Sequence, residues 1–228
     1  MPLITLDSPL YLASRNPGKL REFREAARWR AIRVECVPGI EEIPECLEDG
    51  TTFEENARKK ALHYSAYVSG PVFADDSGIS VDALAGAPGV FSARFAGPEA
   101  ADDENNRKLM EELRNAEEEL RRLQLVIEQF HPLEGNGNAR TATCQPFRRT
   151  AHYVCVVALA QEGRVLCVTE GRADGVILNE PRGRGGFGYD PYFFYPPLGK
   201  TFAELSAEEK FTVSHRGEAF RKLLEMLS

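Results

Sequence analysis

Residues 73–97 read FADDSGISVDALAGAPGVFSARFAG, and the division of that run into strand and loop decides the fold. Pro71, Val72, Phe73 and Ala74 form an apolar run that reads as the end of a buried strand. Asp75 and Asp76 follow at once, then Ser77 and Gly78. Adjacent strand residues point to opposite faces, so both carboxylates cannot serve one site on a regular strand. One can brace the turn while the other points into a cleft at the strand's carboxyl end, where ligands of open α/β sheets bind. An Asp-Ser-Gly turn by itself needs no function. Gly86, Pro88, Gly89, Ser92 and Arg94 then share one loop with few charges, which points to a working loop instead of filler.

Upstream, Pro9 to Ala13 suits a first strand. It runs through Ser14, Arg15, Asn16, Pro17, Gly18 and Lys19 into a helical pattern with Leu20, Phe23, Ala26 and Ala27 on one face. Strand, glycine turn, lysine and helix make a phosphate cradle, because N–H groups at a helix start are free and the dipole is positive there. Ile32 to Val37 alternates as a half-buried strand. The acidic stretch from Glu41 to Asp49 reads as a loop, with one or two carboxylates in reach of a metal. Thr52 with Glu55 makes a capping box, so a helix starts there and runs to about Val68. Within it Glu55 and Lys59, and Asn56 and Lys60, stand at i, i+4 spacing, which suits surface pairing.

Downstream, Asp102 or Asp103 can cap a long helix whose Leu109, Leu113, Ala116, Leu120, Leu123, Ile127 and Phe130 repeat at spacings of four and three. That seam serves either the core or a partner helix. Residues 151–159 and 164–169 are two apolar strands joined by Gln161, Glu162 and Gly163 as a hairpin. Gly183 to Gly188 fits Gly-x-Gly-x-x-Gly, but no strand precedes it and Asp190-Pro191 follows, so a dinucleotide site fails on context. Phe187 and Tyr189 beside a carboxylate suit stacking on a flat ligand instead. The Gly-Lys-Thr at 199–201 has Phe194 where a P-loop needs glycine. Ser206 with Glu209 is a second capping box, and a terminal amphipathic helix is built on Phe220, Leu223, Leu224 and Leu227. Lys210, Ser214, His215 and Arg216 precede or open it, and Arg216 and His215 can donate to an oxygen acceptor.

At 228 residues the chain suits one α/β domain or two closely joined lobes. A net charge of −7 argues against nonspecific binding to a nucleic-acid backbone while leaving room for a local basic pocket. Cys36, Cys46, Cys144, Cys155 and Cys167 show no Cys-x-x-Cys spacing, so reduced thiols in a cytosolic compartment are expected. No apolar run approaches the ~20 residues of a membrane helix, and the N-terminus lacks a signal-peptide pattern.

ADDSGISVDALAGAPGVFSARFAG closely resembles the signature of the inosine triphosphate pyrophosphatase family, hydrolases of non-standard purine nucleoside triphosphates. TFEENARKKA, GGFGYDP and Ser214-His215-Arg216 resemble further motifs of that family in the right order, although Phe211 follows Lys210 where asparagine is frequent. The resemblance covers nearly the whole chain except about 117–147, which looks like an insertion in a single domain spanning 1–228. It implies an inosine triphosphatase-like α/β fold: a long twisted mixed sheet flanked by helices, in two lobes with the active site in the cleft between them. It implies hydrolysis of ITP, dITP or XTP to the monophosphate and pyrophosphate, with Mg²⁺ held by Asp76 and Glu48 and with Asp76, assisted by Asp75, as the catalytic carboxylate. Lys19 and Lys60 would clamp phosphate. Ser14, Asn16, Gly18, Ser77, Arg94, Phe187, Gly188, Tyr189, Asp190, Lys210, His215 and Arg216 complete the implied substrate site. A cytoplasmic homodimer with no nucleic-acid or membrane partner is expected. A nucleotide sensor without turnover and a hydrolase of the terminal phosphate are the rival readings.

Overall fold

The computed structural model describes residues 8–30, 32–130 and 149–227. β1 (Leu10–Leu12) leads into α1 (Pro17–Ala27), β2 (Val34–Cys36), α2 (Phe53–Ser65) and β3 (Val72–Val81). β1 pairs in parallel with both β2 and β3. With β4 (Thr150–Gln161), β5 (Arg164–Ile177), β6 (Phe193–Tyr195) and β7 (Lys200–Thr201), the strand order is β2-β1-β3-β4-β5-β6-β7, so the chain leaves β1 on one side and returns on the other. That reversal opens a crevice at the strands' carboxyl ends, the favoured ligand position of open α/β sheets.

The signature strand is longer than its apolar run. β3 continues through Asp75, Asp76, Ser77 and Gly78, which pair with Val157, Val156, Cys155 and Val154 of β4 (Thr150–Gln161). The expected Asp-Ser-Gly turn is therefore absent: a backbone ladder is indifferent to side-chain polarity once its partner strand is in place. Gly78 is needed because a Cβ there would strike Ser92 Oγ and the Gly89 carbonyl, where the following loop folds back onto the strand. With the strand regular, Asp75 and Asp76 face opposite sides.

β4 turns through Glu162 and Gly163, both at positive φ, into β5 (Arg164–Ile177). The hairpin thus forms as expected, but its second strand runs eight residues past Thr169. β6 (Phe193–Tyr195) and β7 (Lys200–Thr201) finish a seven-stranded mixed sheet flanked by helices, an α/β fold.

Leu10, Leu12, Phe23, Phe73, Leu159, Phe220 and Leu223 fill one core cluster, between the sheet and α1 with α5 (His215–Glu225). Phe73 and Phe220 lie at ring-centroid distances of 5.0 and 4.8 Å from Phe23. The opposite face packs Val72, Ala74, Val156 and Ala158 on Ala57, Ala61 and Tyr64 of α2. Further along the long strands, Ile79, Val81, Tyr153, Phe193, Phe202, Leu109 and Leu113 form a separate cluster. Asp75 and Ser77 sit on β3 between Phe73 of the first cluster and Ile79 of this last one, which defines two lobes with a polar gap between them.

Both capping boxes form, at Thr52 and at Ser206, the latter opening α4 (Ala207–Val213). The cap expected at Asp102 or Asp103 does not. α3 (Asp102–Phe130) already includes both residues, and Glu104 reaches back to the Ala101 N–H. Its seam faces the core only at the start: Leu109 and Leu113 are buried, whereas Leu123 is 54% exposed. The side chains of Ile127 and Phe130, and much of the stretch 117–147, lie outside the described residues. Cys36, Cys46, Cys155 and Cys167 are free thiols; Cys144 is outside the described set. Among the described residues, no helix is long and apolar enough to cross a membrane.

Candidate active site

A cavity of about 340 Å³ fills the gap between the lobes. Its wall includes Ser14, Asn16, Lys19, Glu48, Lys60, Asp76, Ser77, Arg94, Phe187, Gly188, Tyr189, Asp190, Lys210, His215 and Arg216. Of the residues that the family resemblance assigns to the site, Asp75 and Gly18 are not part of that lining.

Asp75, 1% exposed, lies on the α1/α5 side of β3. Lys19 Nζ is 2.8 Å from its Oδ2 and Arg216 Nε 3.5 Å. Burial alone would push its carboxyl up, but Lys19, Arg216 and Lys60 outweigh that and hold it at about 2. Arg216 also donates to Ser77 Oγ at 3.0 Å and to Glu22 at 2.7 Å. Glu22 accepts from Lys210 at 3.1 Å, and Lys210 reaches Asp190 at 2.6 Å. The result is an alternating chain, Lys19–Asp75–Arg216–Glu22–Lys210–Asp190, buried at the floor of the cleft. Burial raises Glu22, yet Arg216 and Lys210 bring it below the usual carboxylate value.

Asp76 lies on the other face of β3. Its Oδ2 accepts from Asn56 Nδ2 at 3.0 Å and its Oδ1 from the Ser77 N–H at 3.0 Å. Burial pushes its carboxyl up and Glu48 pushes it further, against the Asn56 hydrogen bond and Lys60. Lys60 Nζ holds Glu48 at 2.6 Å. The i, i+4 pairs expected along α2 do not form as such. Lys59 turns to Asp49, Lys60 to Glu48, and Glu55 to the cap residues Thr51 and Thr52, because the acidic loop offers closer carboxylates than the helix's own next turn. Asn56 joins Asp76 to the Gly50 N–H (2.8 Å) and so ties that loop to β3.

The N–H groups expected to be free at the start of α1 are not. Asn16 Oδ1 accepts from Gly18 and Lys19, at 2.8 and 3.1 Å, which is ordinary N-capping by an asparagine. Lys19 itself still faces the cleft.

The far end of the cavity is aromatic. His215 stacks on Tyr153 with centroids 4.5 Å apart, and its Nδ1 is buried without a partner. Burial, reinforced by Arg216, Lys210 and Lys19, drives its pKa well below the usual value, so the ring is neutral at pH 7 and carries one N–H donor. Phe187 carries Lys210 and Arg216 over its ring at 4.6 and 5.3 Å. Tyr189 donates to the Ser92 carbonyl at 2.8 Å.

Glu22, Asn56 and Tyr153 were not visible as site residues from sequence. Glu22 meets partners almost two hundred positions away and carries no local signal. Asn56 could have been noticed as a buried-face amide beside Ala57 within TFEENARKKA, and Tyr153 reads simply as strand core.

A mixed α/β sheet with a basic and acidic cleft at its topological switch, bordered at one end by aromatic rings, defines an α/β protein with a cleft suited to a small anionic ligand. The Ham1 family model matches residues 10–139 and 134–226, and the chain belongs to that family, as its signature indicated. It is 42% identical over 214 residues to a dITP/XTP pyrophosphatase of Desulfotalea psychrophila, covering 94% of this chain and 82% of that one. A dITP/XTP pyrophosphatase of an Exiguobacterium species is 43% identical over 214 residues, 94% of each chain. The solved structure of a HAM1 protein from Coxiella burnetii superposes with a TM-score of 0.73 at 36% identity, covering 97% of this chain and 96% of that one.

Proposed function

We propose that this protein hydrolyses non-standard purine nucleoside triphosphates, with dITP, XTP and ITP as substrates, to the nucleoside monophosphate and pyrophosphate. The observation that carries the reading is the single cavity that joins Asp76, Lys19 and Lys60 to the His215–Arg216 wall. Phosphate binding and ring recognition thus share one volume of a size suited to a small ligand.

Among the carboxylates that line that cavity, Glu48 repels Asp76 and helps push it up, which a hard cation would relieve. Among the described residues no three His, Cys, Asp or Glu gather as a metal cage. This suits Mg²⁺, which keeps several waters and uses one or two carboxylates together with substrate phosphates. When bound, the ion would supply neutralisation of the triphosphate's charge. Lys19 and Lys60 hold phosphate oxygens, and Asp76 takes the proton of the attacking water. Asn56 fixes the Asp76 carboxylate for that task. His215 and Arg216 donate toward a purine 6-oxo group, and adenine's 6-amino group would leave those buried donors unpaired.

A homodimer in the cytoplasm, with no nucleic-acid or membrane partner, belongs to the same reading, supported by the family resemblance and by the net charge of −7. So does a single domain with an insertion at about 117–147.

The test is steady-state turnover of XTP, dITP and ATP. With Mg²⁺, XTP and dITP should exceed ATP in kcat/KM by about a hundredfold or more, and a chelator should abolish turnover until Mg²⁺ is returned. Asp76→Asn should still bind nucleotide while kcat falls by about 10²–10⁴. Full turnover in Asp76→Asn, or ATP hydrolysed as fast as XTP, would overturn the reading.

A further inference from the structure

The first turns of α3 face the loop that carries Phe187, and their contacts converge on one residue, Gly188. Asp102 Oδ2 accepts from the Gly188 N–H at 2.6 Å, and Asn106 Nδ2 donates to the Gly188 carbonyl at 2.9 Å. Asp102 and Asn106 stand four apart, on one face of the helix, so both polar groups of Gly188 are gripped from the same side. Gly188 has φ +62, a left-handed conformation that glycine adopts without steric cost. It therefore bends the loop sharply between Phe187 and Tyr189. Asn106 is 7% exposed, and its Oδ1 is buried with no partner. An apolar residue would serve packing better at that point, so the amide's value lies in its bond to Gly188.

The same helix face holds the opposite wall of the cavity. Asn105 accepts from the Ala96 N–H at 2.8 Å and donates to the Ala93 carbonyl at 3.2 Å. Asp102 and Asn105 both border the cavity. Tyr189, next to the clamped glycine, closes the bridge by donating to the Ser92 carbonyl. α3 thus fixes the separation between the signature loop and the aromatic loop.

We propose that Asp102 and Asn106 are positioning residues for purine recognition, holding the Phe187–Tyr189 loop through the two backbone groups of Gly188 so that the ring pocket keeps its shape. This rests on the function proposed above. It assigns the pair to ring binding, away from the phosphate site around Lys19, Lys60 and Asp76.

The experiment compares Asp102→Ala, Asn106→Ala, the double variant and Asp102→Asn with wild type. It measures KM and kcat for XTP, and the competitive inhibition constant of inorganic tripolyphosphate, which has the phosphates but no ring. Each alanine variant should raise KM for XTP about tenfold with a much smaller change in kcat. The tripolyphosphate constant should stay at the wild-type value. The double variant should fall short of the product of the singles, because both hold the same residue, Gly188. Asp102→Asn keeps an acceptor oxygen and should recover most of the affinity. A parallel loss of tripolyphosphate binding would overturn the proposal by reducing the clamp to general scaffolding, and so would an unchanged KM. If wild type fails to turn over XTP, the functional reading falls by itself. Calorimetric binding of a hypoxanthine nucleoside monophosphate to the same variants then still decides the clamp.

Discussion

Replacing Asp75 by Asn removes one negative charge and keeps the shape of a side chain that is 1% exposed. In the folded protein the carboxyl sits at about 2, against an ordinary value of 3.8. A folded value below the unfolded one means that ionised Asp75 stabilises the fold at neutral pH. The difference of nearly two units is worth about 2 kcal/mol. Asn also leaves Lys19 and Arg216 short of an anion, a loss that reaches about 3–5 kcal/mol where a buried pair is broken outright. Asp75→Asn should therefore cost about 2–4 kcal/mol at pH 7, read as a lower urea midpoint with the slope unchanged. The pH dependence is the sharper part. The contribution is full above the unfolded value, constant from about pH 5 upward, and shrinks to about half by pH 3. Variant and wild type should thus converge as acid is added. Equal stability at pH 7, or a gap that persists undiminished at pH 3, would refute the account of the buried charge chain.

Three other perturbations probe separate parts of the structure. A Cβ at Gly171 would collide with the His215 carbonyl and the Ala219 N–H. Gly171→Ala should push α5 off the sheet, lowering the thermal midpoint and raising KM for XTP together; an unchanged KM would separate His215 from substrate binding. Phe220, packed on Phe23 and Phe73, should cost about 3–5 kcal/mol on replacement by Ala, measured by urea unfolding, and a loss under 1 kcal/mol would mean the cluster can collapse around the gap. Lys60→Met should lower kcat/KM for XTP by about a hundredfold, and retained activity would remove Lys60 from the phosphate site.

The sequence showed most of the pieces and few of the joints. Capping boxes at Thr52 and Ser206 are local chemistry, and both appear where their spacing put them. The hairpin of β4 and β5 is likewise written in a run of apolar residues and a short turn. The end of β3 is hidden in the sequence because two aspartates, a serine and a glycine look like a turn. Their strand conformation comes from β4, eighty positions away, which no local rule reports. The start of α1 has the sequence of a free anion site, yet Asn16 caps it. Site residues named by motif mostly gather around one cavity, whereas Glu22 carries no local signal because its partners lie in distant elements, and Asn56 shows in sequence only as a buried-face helix amide. The clamp of Asp102 and Asn106 on Gly188 is of the same kind: a capping-type aspartate in sequence is a tether for another loop in space.

The products of XTP hydrolysis test the central claim most directly. Phosphate-product analysis of a complete digest in Mg²⁺ should find pyrophosphate and nucleoside monophosphate in equal amounts, with no orthophosphate beyond the background. Orthophosphate with nucleoside diphosphate would contradict the account, since cleavage would then fall at the terminal phosphate and Asp76 would be serving a different bond.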